Sequence, residues 1–353
     1  MDGWSVRRMV VHGGRWYEAL ADGVPSHGLL DLSSSISPYG PGPRARLQWS
    51  GLLEQLDRYP DPDYHALLGA ITTHYGVSED QVTLTAGAAE AFDLLYRALA
   101  PAKVAVLIPA FSEYVQRAKA WGIPIIRVRT LKDLPQGPGL LMLANPANPT
   151  GNLLSPDQLD AWRVQARIQG WTTVVDEAFL EFLPNWRALS QMKRTSEDDD
   201  VWVVQSLTKF YGLAALRIGF VVSRSKIQRQ LHRYQVPWQV SWVAAAVATA
   251  ALRDQAYFSA MREQIIRDRT HLIAELSKRA VILGESAANF ILAAPTDMTV
   301  GCLVDGLQSR GILVRDARSF EGLTVPAVRV AVKRPRDHAR LLLAWDGVGT
   351  NCK

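Results

Sequence analysis

The chain has 353 residues, of which 48% are hydrophobic and 21% charged. That balance is ordinary for a folded globular protein and excludes a mainly disordered, collagenous or fibrous chain, and the length suggests two domains of about 150 residues or one with a large appendage. The formal net charge is +5, with no basic run and no nucleic-acid-binding motif, so small anionic ligands are the expected partners rather than nucleic acid.

No segment reaches about 18 uninterrupted apolar residues, and no membrane span is expected. The opening MDGWSVRRMVVHGG lacks the long apolar stretch and small-residue cleavage site of a secretory signal. Cys302 and Cys352 suggest neither a disulfide framework nor a metal-ligand cluster, which fits a reducing cytoplasm and no metal. The acidic run Glu197–Asp200 reads as a short solvated loop.

The first 46 residues are rich in Gly, Ser and Pro. They read as an ordered arm, without a continuous helix or a central strand, lying over another part of the molecule. Residues 47–236 alternate short apolar runs with helical stretches. The runs are VTLT (82–85), VAVLIP (104–109), LLMLA (140–144), TTVVDEA (172–178), VWVVQS (201–206) and IGFVVS (218–223). Near-continuous Val, Leu and Ile mark strands buried on both faces, and alternation with helices predicts an α/β fold with a mostly parallel sheet covered on both sides. Residues 237–353 begin with an Ala-rich helix and a longer linking helix. They continue with shorter strands (FILAAP, ILVRD, AVRVAVK) and read as a smaller α+β domain.

Ligands of open α/β sheets sit at the carboxyl ends of the strands, and four predicted strand ends carry polar candidates. After VTLT come Gly87, Ala88 and Ala89, which would expose backbone N–H groups to an anion at a helix start; a plain turn is the bland alternative. After LLMLA, two prolines frame Asn148, whose amide either meets a ligand oxygen or completes a turn. Asp176 ends TTVVD, and a buried carboxylate needs a partner, either a cationic ligand atom or a helix N-terminus. Ser206 and Lys209, with Arg217 further on, follow VWVVQ. A lysine just after a buried strand is either a nucleophile of depressed pKa or a surface charge.

Taken in order, anion cradle, Asn-Pro-Thr-Gly turn, strand-end Asp and Ser-x-x-Lys with a following Arg resemble the fold-type-I enzymes that use pyridoxal 5′-phosphate. The resemblance covers essentially the whole chain. It implies that Lys209 bonds covalently to the cofactor aldehyde and that Asp176 pairs with the ring nitrogen. Asn148 would bond the phenolic oxygen and Phe111 would stack on the ring. Gly87, Ala88, Ala89, Ser206 and Arg217 would hold the cofactor phosphate. Tyr59 would reach the phosphate of a neighbouring subunit, which implies a homodimer. Phe179 departs from the tyrosine usual there and leaves the phenolic contact to Asn148.

Within that family the chain is most similar to a branch that contains threonine-phosphate decarboxylases and histidinol-phosphate aminotransferases. The strings Phe111-Ser112-Glu113-Tyr114, Ser206-Leu207-Thr208-Lys209-Phe210-Tyr211 and His12-Gly13-Gly14 resemble the decarboxylases. His12, Arg315 and Arg329 match that substrate site, although Arg329 also matches the carboxylate-binding arginine of aminotransferases. The resemblance therefore implies decarboxylation of O-phospho-L-threonine to (R)-1-amino-2-propanol phosphate, used in the cobalamin side chain. The alternative is an aminotransferase acting on histidinol phosphate or a related amino acid. Ser35-Ile36-Ser37-Pro38 replaces an Asn-x-Asn-Pro string and leaves the exact phosphorylated substrate open.

Overall fold

The structure, a computed structural model, describes residues 13–49 and 51–349. Its strands, in chain order, are β1 (Leu30–Asp31), β2 (Val82–Thr85), β3 (Val104–Leu107), β4 (Ile125–Val128), β5 (Gly139–Ala144), β6 (Trp171–Asp176), β7 (Val201–Ser206), β8 (Gly219–Val222), β9 (Ala280–Ile282), β10 (Phe290–Pro295), β11 (Ile312–Leu313), β12 (Arg315–Asp316) and β13 (Val328–Ala331). The central sheet has the order β2-β8-β7-β6-β5-β3-β4. All its pairs are parallel except those of β8, which runs antiparallel to both neighbours. Each apolar run expected to be a strand is one. The edge strand β4 was missed because Arg127 breaks its run and its outer side lacks a partner to bury it.

The period-2 alternation of strand side chains divides the core into two faces. Val104, Val106, Leu140, Met142 and Val174 pack against helices Ala88–Leu99 and Ser112–Ala120. Ala105, Leu141, Leu143 and Val175 face the opposite way, onto Leu159, Trp162 and Ala166 of helix Pro156–Ile168. Beside that second face, the core runs on through helices Trp242–Leu252 and Gln255–Leu276 to the four-stranded antiparallel sheet β12-β13-β10-β9. Helices Val300–Gln308 and Pro335–Gly349 back that sheet.

The arm contains more regular structure than its composition suggests. Pro43 opens helix Pro43–Trp49 at the first helical position, where a missing N–H costs nothing, and β1 adds a parallel partner to β11. The acidic run is also less solvated than expected, since Asp198 accepts from Arg163 at 2.8 Å and from Arg167 at 3.3 Å. Cys302 is disulfide-bonded, whereas the sequence suggested no disulfide framework. No helix among the described residues is long and apolar enough to cross a membrane.

Candidate active site

Because β2 and β7 both run antiparallel to β8, they are parallel to each other. The carboxyl ends of β2, β3, β5, β6 and β7 therefore share one edge with the start of β8. A cavity of about 410 Å3 opens along it. Ala88, Ala89, Phe111, Asn148, Asp176, Ser206, Lys209 and Arg217 line it from the central sheet, Arg315, Phe320 and Arg329 from the antiparallel sheet, and Gly13, Ser34 and Ser35 from the arm. The residues singled out in the sequence thus converge, with Gly87 immediately before the lining residue Ala88 rather than in the lining itself, and with two exceptions. Tyr59 is 79% exposed and stacks on Trp238 with ring centroids 4.5 Å apart, outside the cavity. His12 lies outside the described residues.

Gly87 adopts a positive φ of 90° at the N-terminal cap of helix Ala88–Leu99. A Cβ there would meet Arg217 Nη2 at 2.7 Å, so only glycine lets the guanidinium lie against the helix start. The first N–H groups of that helix have no intrahelical acceptor and carry the positive end of its dipole. Ser206 closes β7 and Thr208 follows it, both buried, with hydroxyls 2.7 Å apart. N–H groups, hydroxyls and a guanidinium together make an anion cradle.

Asp176 closes β6 and is buried. Tyr114 Oη donates to its Oδ2 at 2.6 Å and the Ala178 N–H to its Oδ1 at 2.9 Å. Burial raises its pKa, and these two bonds together with the Lys209 charge oppose the rise. The neighbouring Glu177 is engaged elsewhere. Its carboxylate accepts from Ser190 Oγ and the Gln191 N–H, each at 2.6 Å.

Lys209 is held by a bond from the Ser37 N–H to its carbonyl, 3.0 Å. Its amine is pushed down to about 8, first by burial and then by the guanidinium groups of Arg329 and Arg217. About a fifth is then neutral near physiological pH, against about a thousandth for an ordinary lysine, and the neutral amine is the form a nucleophile or a base requires.

Arg315 and Arg329 are directly opposed in the β12–β13 ladder, and both are buried. Like charges facing each other across strands repel. Arg329 donates to Asn148 Oδ1 and to the Ser33 carbonyl, both neutral acceptors, and its Nε has no partner among the described residues. Burial, followed by the Arg315 charge, pushes its pKa down to about 9. Arg315 donates to Ser319 Oγ at 2.8 Å. The Phe320 ring lies 5.0 Å from one guanidinium and 5.9 Å from the other. Two buried cations on one wall make a receptor for a ligand with more than one negative charge.

Some contributors were missed in the sequence. Phe320 and Ser319 reach the site through contacts that no local pattern announces, while Tyr114 and Thr208 stood in quoted strings without a role assigned to them. Asp31 ties down the arm by accepting from the hydroxyls of Ser33 and Ser34. Ser35 keeps a buried hydroxyl without a partner among the described residues. Thr208 was within reach, since it stands inside the Ser-x-x-Lys string.

The profile of the aminotransferase class I and II family matches residues 28–343. The chain is 29% identical to histidinol-phosphate aminotransferase 2 of Archaeoglobus fulgidus, over 91% of this chain and 93% of that protein. It is 28% identical to the threonine-phosphate decarboxylase of Salmonella typhimurium, over 96% of each. Among solved structures, the histidinol-phosphate aminotransferase of Clostridium acetobutylicum superposes with a TM-score of 0.83 at 25% identity, covering 92% of this chain and all of that one. Sequence, fold and the convergence of residues on one sheet edge agree: the chain belongs to the aminotransferase class I and II family of fold-type-I pyridoxal 5′-phosphate enzymes.

Proposed function

We propose that this protein is a decarboxylase of O-phospho-L-threonine or a near homologue of that substrate. At the coarser level it is a pyridoxal 5′-phosphate-dependent enzyme of the decarboxylase and aminotransferase group. The residues fit the cofactor. The Gly87–Arg217 approach leaves a cradle that a Cβ would fill, and the same cavity holds a buried lysine and a buried carboxylate. Ala88, Ala89, Ser206, Thr208 and Arg217 would hold its phosphate, Asp176 its ring nitrogen and Lys209 its aldehyde carbon. Phe111 would stack on its ring. Because Asn148 Oδ1 accepts from Arg329, its NH2 end is the part of the amide that would be left for the phenolic oxygen, a contact that Phe179 lacks a hydroxyl to share. When bound, the cofactor supplies an electron sink for cleavage of a bond at the substrate Cα.

The observation that carries the proposal is the opposed pair Arg315 and Arg329 on one wall of the cavity. A substrate with both a carboxylate and a phosphate would satisfy both guanidinium groups by bidentate bonds. Histidinol phosphate offers the phosphate alone. The arginines would fix the carboxylate and phosphate and so set the orientation of the bonds at the substrate Cα. Phe320 lies against both guanidinium groups, and Lys209 Nζ, partly neutral and partly protonated, would be the group to hold or deliver a proton at the substrate Cα. The similarity to histidinol-phosphate aminotransferases keeps transamination as the second reading.

Incubation with O-phospho-L-threonine separates the two. Release of CO2 and an amino alcohol phosphate without any 2-oxo acid is expected. A strict requirement for 2-oxoglutarate, with a keto acid as product, assigns the enzyme to transamination instead. A homodimer belongs to the same reading. The exposure of Tyr59, Trp49, Leu47 and Leu56 supports it, with Tyr59 offered to a partner's cofactor phosphate.

A further inference from the structure

Tyr114 lies behind the site rather than in its wall. It is fully buried on helix Ser112–Ala120, and its hydroxyl reaches Asp176 Oδ2 at 2.6 Å. That length is typical of an O–H donor on an ionised carboxylate. Its ring is held edge-on between Phe92, at 4.8 Å and 86°, and Phe111, at 5.8 Å and 89°. Its backbone carbonyl accepts from Tyr96 Oη at 3.1 Å. Among the described residues Tyr114 is the one side-chain donor to Asp176; the other donor is the Ala178 N–H.

Each carboxylate oxygen therefore has one protein donor, and the lone pairs left over are free to meet a donor in the cavity. A buried carboxylate would otherwise take up a proton. A protonated Asp176 would no longer be an anion for a protonated ring nitrogen. We infer that Tyr114 is a positioning residue that keeps Asp176 ionised and aimed at the cofactor's ring nitrogen, acting on the cofactor only through that carboxylate. The inference rests on the cofactor reading above. Tyr114 is suited to the task because burial and the Asp176 charge push its own pKa far up, so it stays a donor across the working pH range.

The test is a cofactor-binding titration on the cofactor-free full-length protein, independent of turnover. The probes are pyridoxal 5′-phosphate and its 1-deaza analogue, which carries C–H in place of the ring nitrogen. Tyr114→Phe is expected to raise the dissociation constant for pyridoxal 5′-phosphate about tenfold or more and that for the deaza analogue less than about twofold. It is also expected to move the acid limb of pyridoxal 5′-phosphate binding to higher pH. Tyr96→Phe, which loosens the same helix without touching Asp176, is expected to leave the ratio of the two constants unchanged. Asp176→Asn is expected to lose the same discrimination, and adding Tyr114→Phe to it to cost nothing further in that ratio. This second arm stands even if Tyr114→Phe alone folds poorly. Equal weakening of both probes by Tyr114→Phe, or no weakening of either, overturns the inference while leaving the cofactor reading intact. A wild-type protein that binds neither probe overturns both.

Discussion

Lys209 illustrates how one side chain is made reactive at the expense of the fold. Its amine is buried and faces Arg217 and Arg329, so its protonated form is disfavoured and its pKa falls to about 8. The neutral amine is the reactive form, and its fraction grows as pH rises. Capture of pyridoxal 5′-phosphate by the cofactor-free protein should therefore accelerate about tenfold between pH 6 and pH 7 and level off above about 8. Stopped-flow absorbance at several pH values checks this, and a rate that keeps rising about tenfold per pH unit beyond pH 9 would mean an ordinary exposed lysine. The same burial means that the unloaded protein carries a poorly solvated charge at neutral pH. Lys209→Met should abolish activity yet raise the stability of the unloaded protein, by about 1–3 kcal/mol, as measured by urea denaturation.

At the scale of elements, the short strands β12 and β13 matter more than their length suggests. They set two arginines face to face, and the loop that follows β12 brings Phe320 against both. Arg315→Gln should raise KM for a doubly anionic substrate about tenfold or more with a smaller change in kcat. That loop is also tied to the central sheet. Arg127 on the edge strand β4 meets Glu321 through two bonds, of 2.6 and 3.3 Å, and Arg129 donates to the Gly322 carbonyl at 3.1 Å. The ion pair is largely exposed, so its contribution to stability is under about 1 kcal/mol. Its effect is to hold the Phe320 loop in register. Glu321→Gln should accordingly leave the melting temperature nearly unchanged and raise KM several-fold, and parallel thermal and kinetic measurements separate the two effects.

At the scale of the whole molecule, legibility follows the range of the interaction. Asp176, Lys209, Asn148 and the Gly87 turn were readable because each stands at the end of a continuous apolar run, and the fold rule for sheet edges collects such residues in one place. Tyr114 was legible only as a member of the Phe111-Ser112-Glu113-Tyr114 string and not in its role, since the carboxylate it serves is 62 positions away. Arg329 was readable as a candidate, but its bond to Asn148 spans 181 positions and exists only because the antiparallel sheet packs against the central one. The arm was readable as an arm from its Gly, Ser and Pro content. The strand β1, at two residues, is too short for any periodicity to show, and its partner β11 is equally short.

The opposed arginines have a practical consequence for anyone handling the protein. A wall that bears two buried guanidinium groups will accept whatever oxyanion the buffer supplies, so sulfate or inorganic phosphate should act as competitive inhibitors. They should also protect the enzyme from heat beyond their general salting effect. The specific part is the difference between wild type and Arg315→Gln in matched sulfate and chloride. Protein purified in phosphate buffer should thus look more robust and less active than the same protein in a zwitterionic buffer, with no change in its chain.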